Sequence, residues 1–144
     1  MPLSTSYSAI LRSIIVAGAT LAATACGSSD ILNPTPGTPP VSVTETYPGT
    51  ITVNGAFTQP FAVSTIGTVT AKLTSLAPVD TVTIGLSLGT WNGATCTLIV
   101  TNDAAALNTT VTGTAQTIGQ FCARVYDVGK LTAATDFTID ITHF

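Results

Sequence analysis

From residue 46 onward, apolar residues alternate with Thr, Ser and Gly at a period of two, the spacing of a strand with one buried face. Val69, Ala71 and Leu73 fall on one such face, Val82, Ile84, Leu86 and Leu88 on another, and Phe137, Ile139 and Ile141 on a third. Turn formers punctuate the runs at Asn54-Gly55, Ile66-Gly67 and Ala77-Pro78. The pattern predicts strands at residues 50–53, 57–65, 68–76, 81–89, 96–101, 109–113, 121–128 and 137–142. No segment has the spacing of an amphipathic helix, although residues 103–107 (DAAAL) suit a single helical turn. Short strands at this spacing predict an all-β domain over residues 46–144, a small jelly-roll-like β-sandwich.

The first 45 residues break this pattern. Residues 1–12 contain one base and no acid, and residues 13–25 (SIIVAGATLAATA) are uncharged, small and apolar. This is the layout of a signal peptide, and its apolar stretch falls short of the roughly 20 residues that span a bilayer. It closes on Ala23-Thr24-Ala25-Cys26-Gly27, which resembles the bacterial lipobox: Thr24, Ala25 and Cys26 match, and Ala23 stands where the family prefers Leu. The resemblance implies cleavage before Cys26, lipid on that cysteine, and a membrane-anchored lipoprotein of the bacterial cell envelope, at the outer membrane or cell surface. The alternative is ordinary secretion after the Ala-x-Ala site, leaving Cys26 as a free thiol. Residues 26–45 carry Gly27, Ser28 and Ser29 and then Pro34, Pro36, Pro39 and Pro40. Such a polar, proline-rich stretch packs no core and favours extended conformations, so it reads as a flexible tether. The chain therefore divides into a leader (1–25), a lipidated cysteine with its tether (26–45) and one domain (46–144).

Composition narrows the function. Charged residues make up 8% of the 144 residues and the net charge is −3. The four bases, Arg12, Lys72, Arg124 and Lys130, are dispersed, which excludes nucleic acid as a partner because no basic footprint exists to hold phosphates. Abundant Thr and Val suit pleated strands and weaken helices.

Cys96 and Cys122 lie in separate predicted strands, and in an exported protein two cysteines beyond the anchor read as a disulfide. Closing that loop stabilises a fold by about 3 kcal/mol in the chain-entropy model. The sole histidine, His143, sits beside the C-terminus, where solvent exposure is expected; it supports neither a catalytic triad nor a zinc site. Asp103 and Asp127 are candidate calcium ligands, with turn capping as the competing role, and a calcium site needs six or more oxygens in all. A glycosidase-like carboxylate pair would have to come from Asp80, Asp103, Asp127, Asp136 or Asp140, and nothing in their spacing singles out two. No cofactor is expected. Trp91, in a Gly-Thr-Trp-Asn-Gly turn, is the candidate ligand contact, able to stack on a sugar ring; the competing role is to seal the edge of the core, which is the expectation adopted. Arg124 and Tyr126 share a strand face with Cys122, so the disulfide is expected to draw that face inward, with Arg124 as a lid over apolar surface.

Residues 61–71 (FAVSTIGTVTA) and 119–127 (GQFCARVYD) resemble the bacterial pre-peptidase C-terminal domain, a β-sandwich appended to secreted enzymes. The resemblance spans roughly residues 50–142. An acidic strand of that family is replaced here by Thr83-Ile84-Gly85-Leu86-Ser87-Leu88, which counts against a calcium site carried over from it. Three functions follow in order of expectation: a lipid-anchored, non-enzymatic binding or structural module for glycan or another envelope protein; an accessory domain assisting a separate secreted enzyme; and an Asp-based hydrolase.

Overall fold

The computed structural model describes residues 39–144; the leader, Cys26 and most of the tether lie outside the described residues. Eight strands follow one another: β1 (Val43–Ile51), β2 (Ala56–Val63), β3 (Gly67–Ala77), β4 (Ile84–Trp91), β5 (Cys96–Ala105), β6 (Thr110–Ala115), β7 (Gly119–Tyr126) and β8 (Thr135–His143). They form two four-stranded antiparallel sheets, ordered β1-β8-β3-β6 and β2-β7-β4-β5, so the domain is the expected small all-β sandwich.

The alternation seen in the sequence sorts side chains between faces. Leu73, Ile139 and Ile141 from the first sheet meet Ile84, Leu86 and Val125 from the second, all fully buried. Burying each large aliphatic side chain contributes about 1.5–3 kcal/mol. Phe137 lies across Gly49, where an added Cβ would come within 2.6 Å of the ring, and packs edge-to-face on Phe57 at 5.3 Å. On its solvent side the first sheet is a ladder of hydroxyls and carboxylates: Thr46 donates to Asp140 at 2.7 Å and Thr50 to Asp136 at 2.5 Å.

The expectations need three adjustments. β1 begins at Val43, inside the expected tether, because Thr44 and Thr46 already pair with Thr142 and Asp140. Residues 103–107 form no helical turn, and no helix forms among the described residues: β5 runs on to Ala105, whose methyl is buried opposite Ile84. β4 does not stop at Gly89 but continues to Trp91.

Strand direction alternates along the chain, which gives the sandwich two distinct ends. At the near end lie the start of β1, the β2–β3, β4–β5 and β6–β7 connections and Phe144, whose carbonyl accepts from the N–H groups of Ser64 and Thr65. At the far end lie the other connections, where the Asp127 N–H donates to the Gly55 carbonyl. Of the four edge strands, β1 and β2 each carry a proline, Pro48 and Pro60, which removes one backbone donor from an exposed edge.

Candidate functional site

Phe121, Ala123 and Val125 point from β7 into the core, so Cys122, Arg124 and Tyr126 occupy the opposite, solvent side of the second sheet. This corrects the expectation that the disulfide draws that face inward. Across the β4–β7 ladder, Gly89 stands opposite Cys122, Ser87 opposite Arg124 and Gly85 opposite Tyr126. A floor of two glycines and a serine thus underlies three larger side chains.

The expected Cys96–Cys122 disulfide forms, with its Cα atoms 5.9 Å apart. It joins β5 to β7 across the intervening β4, whereas two strand spacings amount to about 9.6 Å. Gly89 permits the short span. The β5 backbone passes so close over it that an added Cβ would lie 2.2 Å from the Thr97 carbonyl oxygen. Cys122 is fully buried on this side of the sheet, beneath that crossing.

Toward the far end the Tyr126 ring lies flat on Gly85, where an added Cβ would be 2.2–2.6 Å from ring carbons. Its hydroxyl donates to Asp103 on β5. Burial, then the hydrogen bond and negative charge of Asp103, push the Tyr126 pKa up to about 12 against a smaller opposing effect of Arg124. The Arg124 guanidinium carbon stands 5.8 Å from the Tyr126 ring centroid, within reach of a cation–π interaction. Its Nε is buried and has no hydrogen-bond partner. Arg124 is therefore less a lid over apolar surface than the cation at one end of a row, Arg124–Tyr126–Asp103, with the aromatic ring in the middle and the anion at the other end.

The remaining candidates lie elsewhere. Asp127 caps the turn after β7: one carboxylate oxygen accepts from the N–H groups of Gly129, Lys130 and Leu131 at 2.8–3.1 Å, and the other from that of Asn54 at 2.8 Å. These bonds, that of Asn54 first, hold its carboxyl below the ordinary value of 3.8. Asp103 and Asp127 thus serve separate partners, and no group of three His, Cys, Asp or Glu side chains gathers among the described residues. Trp91 is half-buried at the near end of β4 and is not among the side chains packed on the core, contrary to the edge-sealing expectation. Six residues of strand separate it from Gly85, about 20 Å, so it does not join the Tyr126 row. Cys26 lies outside the described residues.

His143 corrects another expectation. Its side chain is buried, stacks obliquely on Phe61 at 5.4 Å and places Nε2 3.3 Å from Glu45, which also accepts the Tyr47 hydroxyl at 2.8 Å. Burial, then Glu45, raises the Tyr47 pKa. Pairing of Val43 with His143 holds the chain end in the sheet, which is why a residue so near the terminus is covered. The Arg124–Tyr126–Asp103 row escaped sequence reading because it depends on cross-strand register; the visible hint was Gly85 and Ser87 alternating in one strand while Arg124 and Tyr126 alternate in another.

No protein-family model matches the chain, and no curated protein matches it. Among solved structures it is similar to the Yersinia pseudotuberculosis-derived mitogen, with a TM-score of 0.55 and 19% identity, over 72% of this chain and 88% of that one. That likeness is one of fold.

Proposed function

We propose that the chain is a lipid-anchored, non-enzymatic binding module of the bacterial envelope, fixed to the membrane at Cys26 and binding its partner on the solvent face of the β2-β7-β4-β5 sheet. The observation that carries the binding surface is the Arg124–Tyr126–Asp103 row on its glycine and serine floor. A flat aromatic ring flanked by a guanidinium and a carboxylate offers stacking together with directional polar contacts, the combination that recognises a sugar ring or a polar protein surface. Chemistry finds less support, since His143, the sole imidazole, is turned to Glu45 and to the Phe144 carbonyl at 3.5 Å on another part of the molecule.

The anchor rests on the lipobox-like run Ala23-Thr24-Ala25-Cys26 and the proline-rich stretch after it. The fold is shared with a protein described as a mitogen, and at 19% identity that likeness carries neither role nor partner across. The test is a screen of the chain against arrayed envelope glycans and envelope protein extracts, repeated with Arg124→Ala and Tyr126→Ala. Binding that both substitutions abolish supports the surface. Binding that survives both refutes it.

A further inference from the structure

The exposed apolar side chains gather at one end of the sandwich. Ile66 and Ile118 are 61% and 67% exposed at the tips of the β2–β3 and β6–β7 connections. These tips are neighbours, because Val63 pairs with Gly119 and Gly67 with Ala115. Ile99 is 66% exposed in the near half of β5, and Val43 stands half-exposed where β1 begins. Of the large hydrophobics exposed among the described residues, only Val53 and Val79 lie at the far end.

In the connections charge has the opposite distribution, while Glu45 and Asp140 lie on strands, in the near halves of β1 and β8. The near-end connections, residues 64–66, 92–95 and 116–118, contain no Asp, Glu, Lys or Arg. Far-end connections carry Asp80, Asp127 and Lys130. Trp91, the chain's sole tryptophan, stands half-buried at the near end immediately before the 92–95 turn. An indole with an apolar body and one N–H donor suits the boundary between lipid and water.

We infer that the near end is a bilayer-docking surface, with Ile66 and Ile118 entering the interfacial layer and Trp91 at headgroup level. The inference rests on the lipid anchor at Cys26, and the position of that anchor selects the bilayer as occupant. Sixteen residues separate Cys26 from Val43, and the chain comes into the domain at this same end. A segment of that length reaches about 20–24 Å as a coil and about 50 Å in the extended form that prolines favour, so the anchor allows the near end to touch the membrane surface in either case. Tethering of this kind gives an effective concentration on the order of millimolar, enough for a few apolar side chains too weak to hold a free protein. Docking in this orientation turns the far end, and the Tyr126 row beside it, away from the membrane and toward a partner.

The full-length chain in phosphatidylcholine vesicles whose acyl chains carry bromine, a contact quencher, tests the inference, because all tryptophan emission comes from Trp91. The expected result is weaker emission than in unbrominated vesicles, shifted to the blue of the chain in buffer, with Ile66→Asp/Ile118→Asp restoring both intensity and wavelength. Equal emission in the two vesicle types at saturating lipid overturns docking; a second copy or a protein partner covering this end would produce that outcome. Mass spectrometry of the same preparation reads the lipid on Cys26 separately. Quenching without that modification upholds docking and refutes the anchor, and the modification without quenching does the reverse.

Discussion

Gly89→Ala adds one methyl at the place where β5 crosses β4, and the structure makes that methyl expensive. Its Cβ would meet the Thr97 carbonyl oxygen at 2.2 Å and the carbonyl carbon at 2.8 Å, both backbone atoms that no rotamer change can move. Relief requires β5 to retreat by about 1 Å, and overpacking of this kind costs about 1–3 kcal/mol. The same retreat stretches the Cys96–Cys122 span from 5.9 Å toward the roughly 7 Å beyond which a disulfide does not close. If the bridge is lost, a further loss of about 3 kcal/mol follows. Gly113→Ala is the matched control: its nearest atoms are Leu88 Cδ1 and Val100 Cγ2, both at 3.7 Å, an ordinary contact. There, alanine in a strand should hold stability or raise it by about 0.5–1 kcal/mol. Urea unfolding followed by Trp91 emission, with m of about 1–3 kcal/mol/M, separates the two variants by at least about 0.3 M in midpoint, and by about 1 M or more if the bridge is lost. A free-thiol assay on the denatured, unreduced proteins reports the bridge. Equal midpoints for Gly89→Ala and Gly113→Ala would refute the reasoning.

Replacing both Cys96 and Cys122 by alanine should cost about 3 kcal/mol in the same titration, and a loss below about 1 kcal/mol would show that the bridge only follows the fold. Asp127→Ala should destabilise the domain at neutral pH by releasing four backbone N–H groups. Because the folded carboxyl titrates below its ordinary 3.8, that stabilisation is complete above 3.8 and is lost as pH falls through the lower folded value. Unfolding curves of wild type and Asp127→Ala should therefore converge in acid, and a gap independent of pH would contradict the capping role. Trp91→Ala should cost well under the about 3–5 kcal/mol of a core tryptophan, as measured by thermal or urea unfolding; a loss within that range would return Trp91 to the core.

What the sequence made legible follows from how local each signal is. The inward faces of β3 and β8 were readable because Val69, Ala71 and Leu73, and then Phe137, Ile139 and Ile141, alternate cleanly against polar neighbours. The disulfide was readable from cysteine chemistry alone. Its position was not, because crossing β4 depends on a glycine that reads in sequence only as a strand stop. For the same reason β4 was expected to end at Gly89, where it continues to Trp91. The start of β1 was hidden because Val43, Thr44 and Glu45 look like tether until partnered by β8. Terminal position argued for an exposed His143, and pairing with Val43 overrode it. Tyr126 on Gly85 is a matter of register between strands more than 30 residues apart, which composition and periodicity do not encode.

The most direct test of the central claim is partition of the chain, expressed in a bacterium that processes lipoproteins, into the detergent-rich phase of a detergent that separates on warming. The account predicts that wild-type protein enters that phase with its N-terminus at an acylated Cys26, and that Cys26→Ser accumulates as the uncleaved precursor. Wild-type protein recovered wholly from the aqueous phase, cut after Ala25 with a free Cys26 thiol, would contradict it.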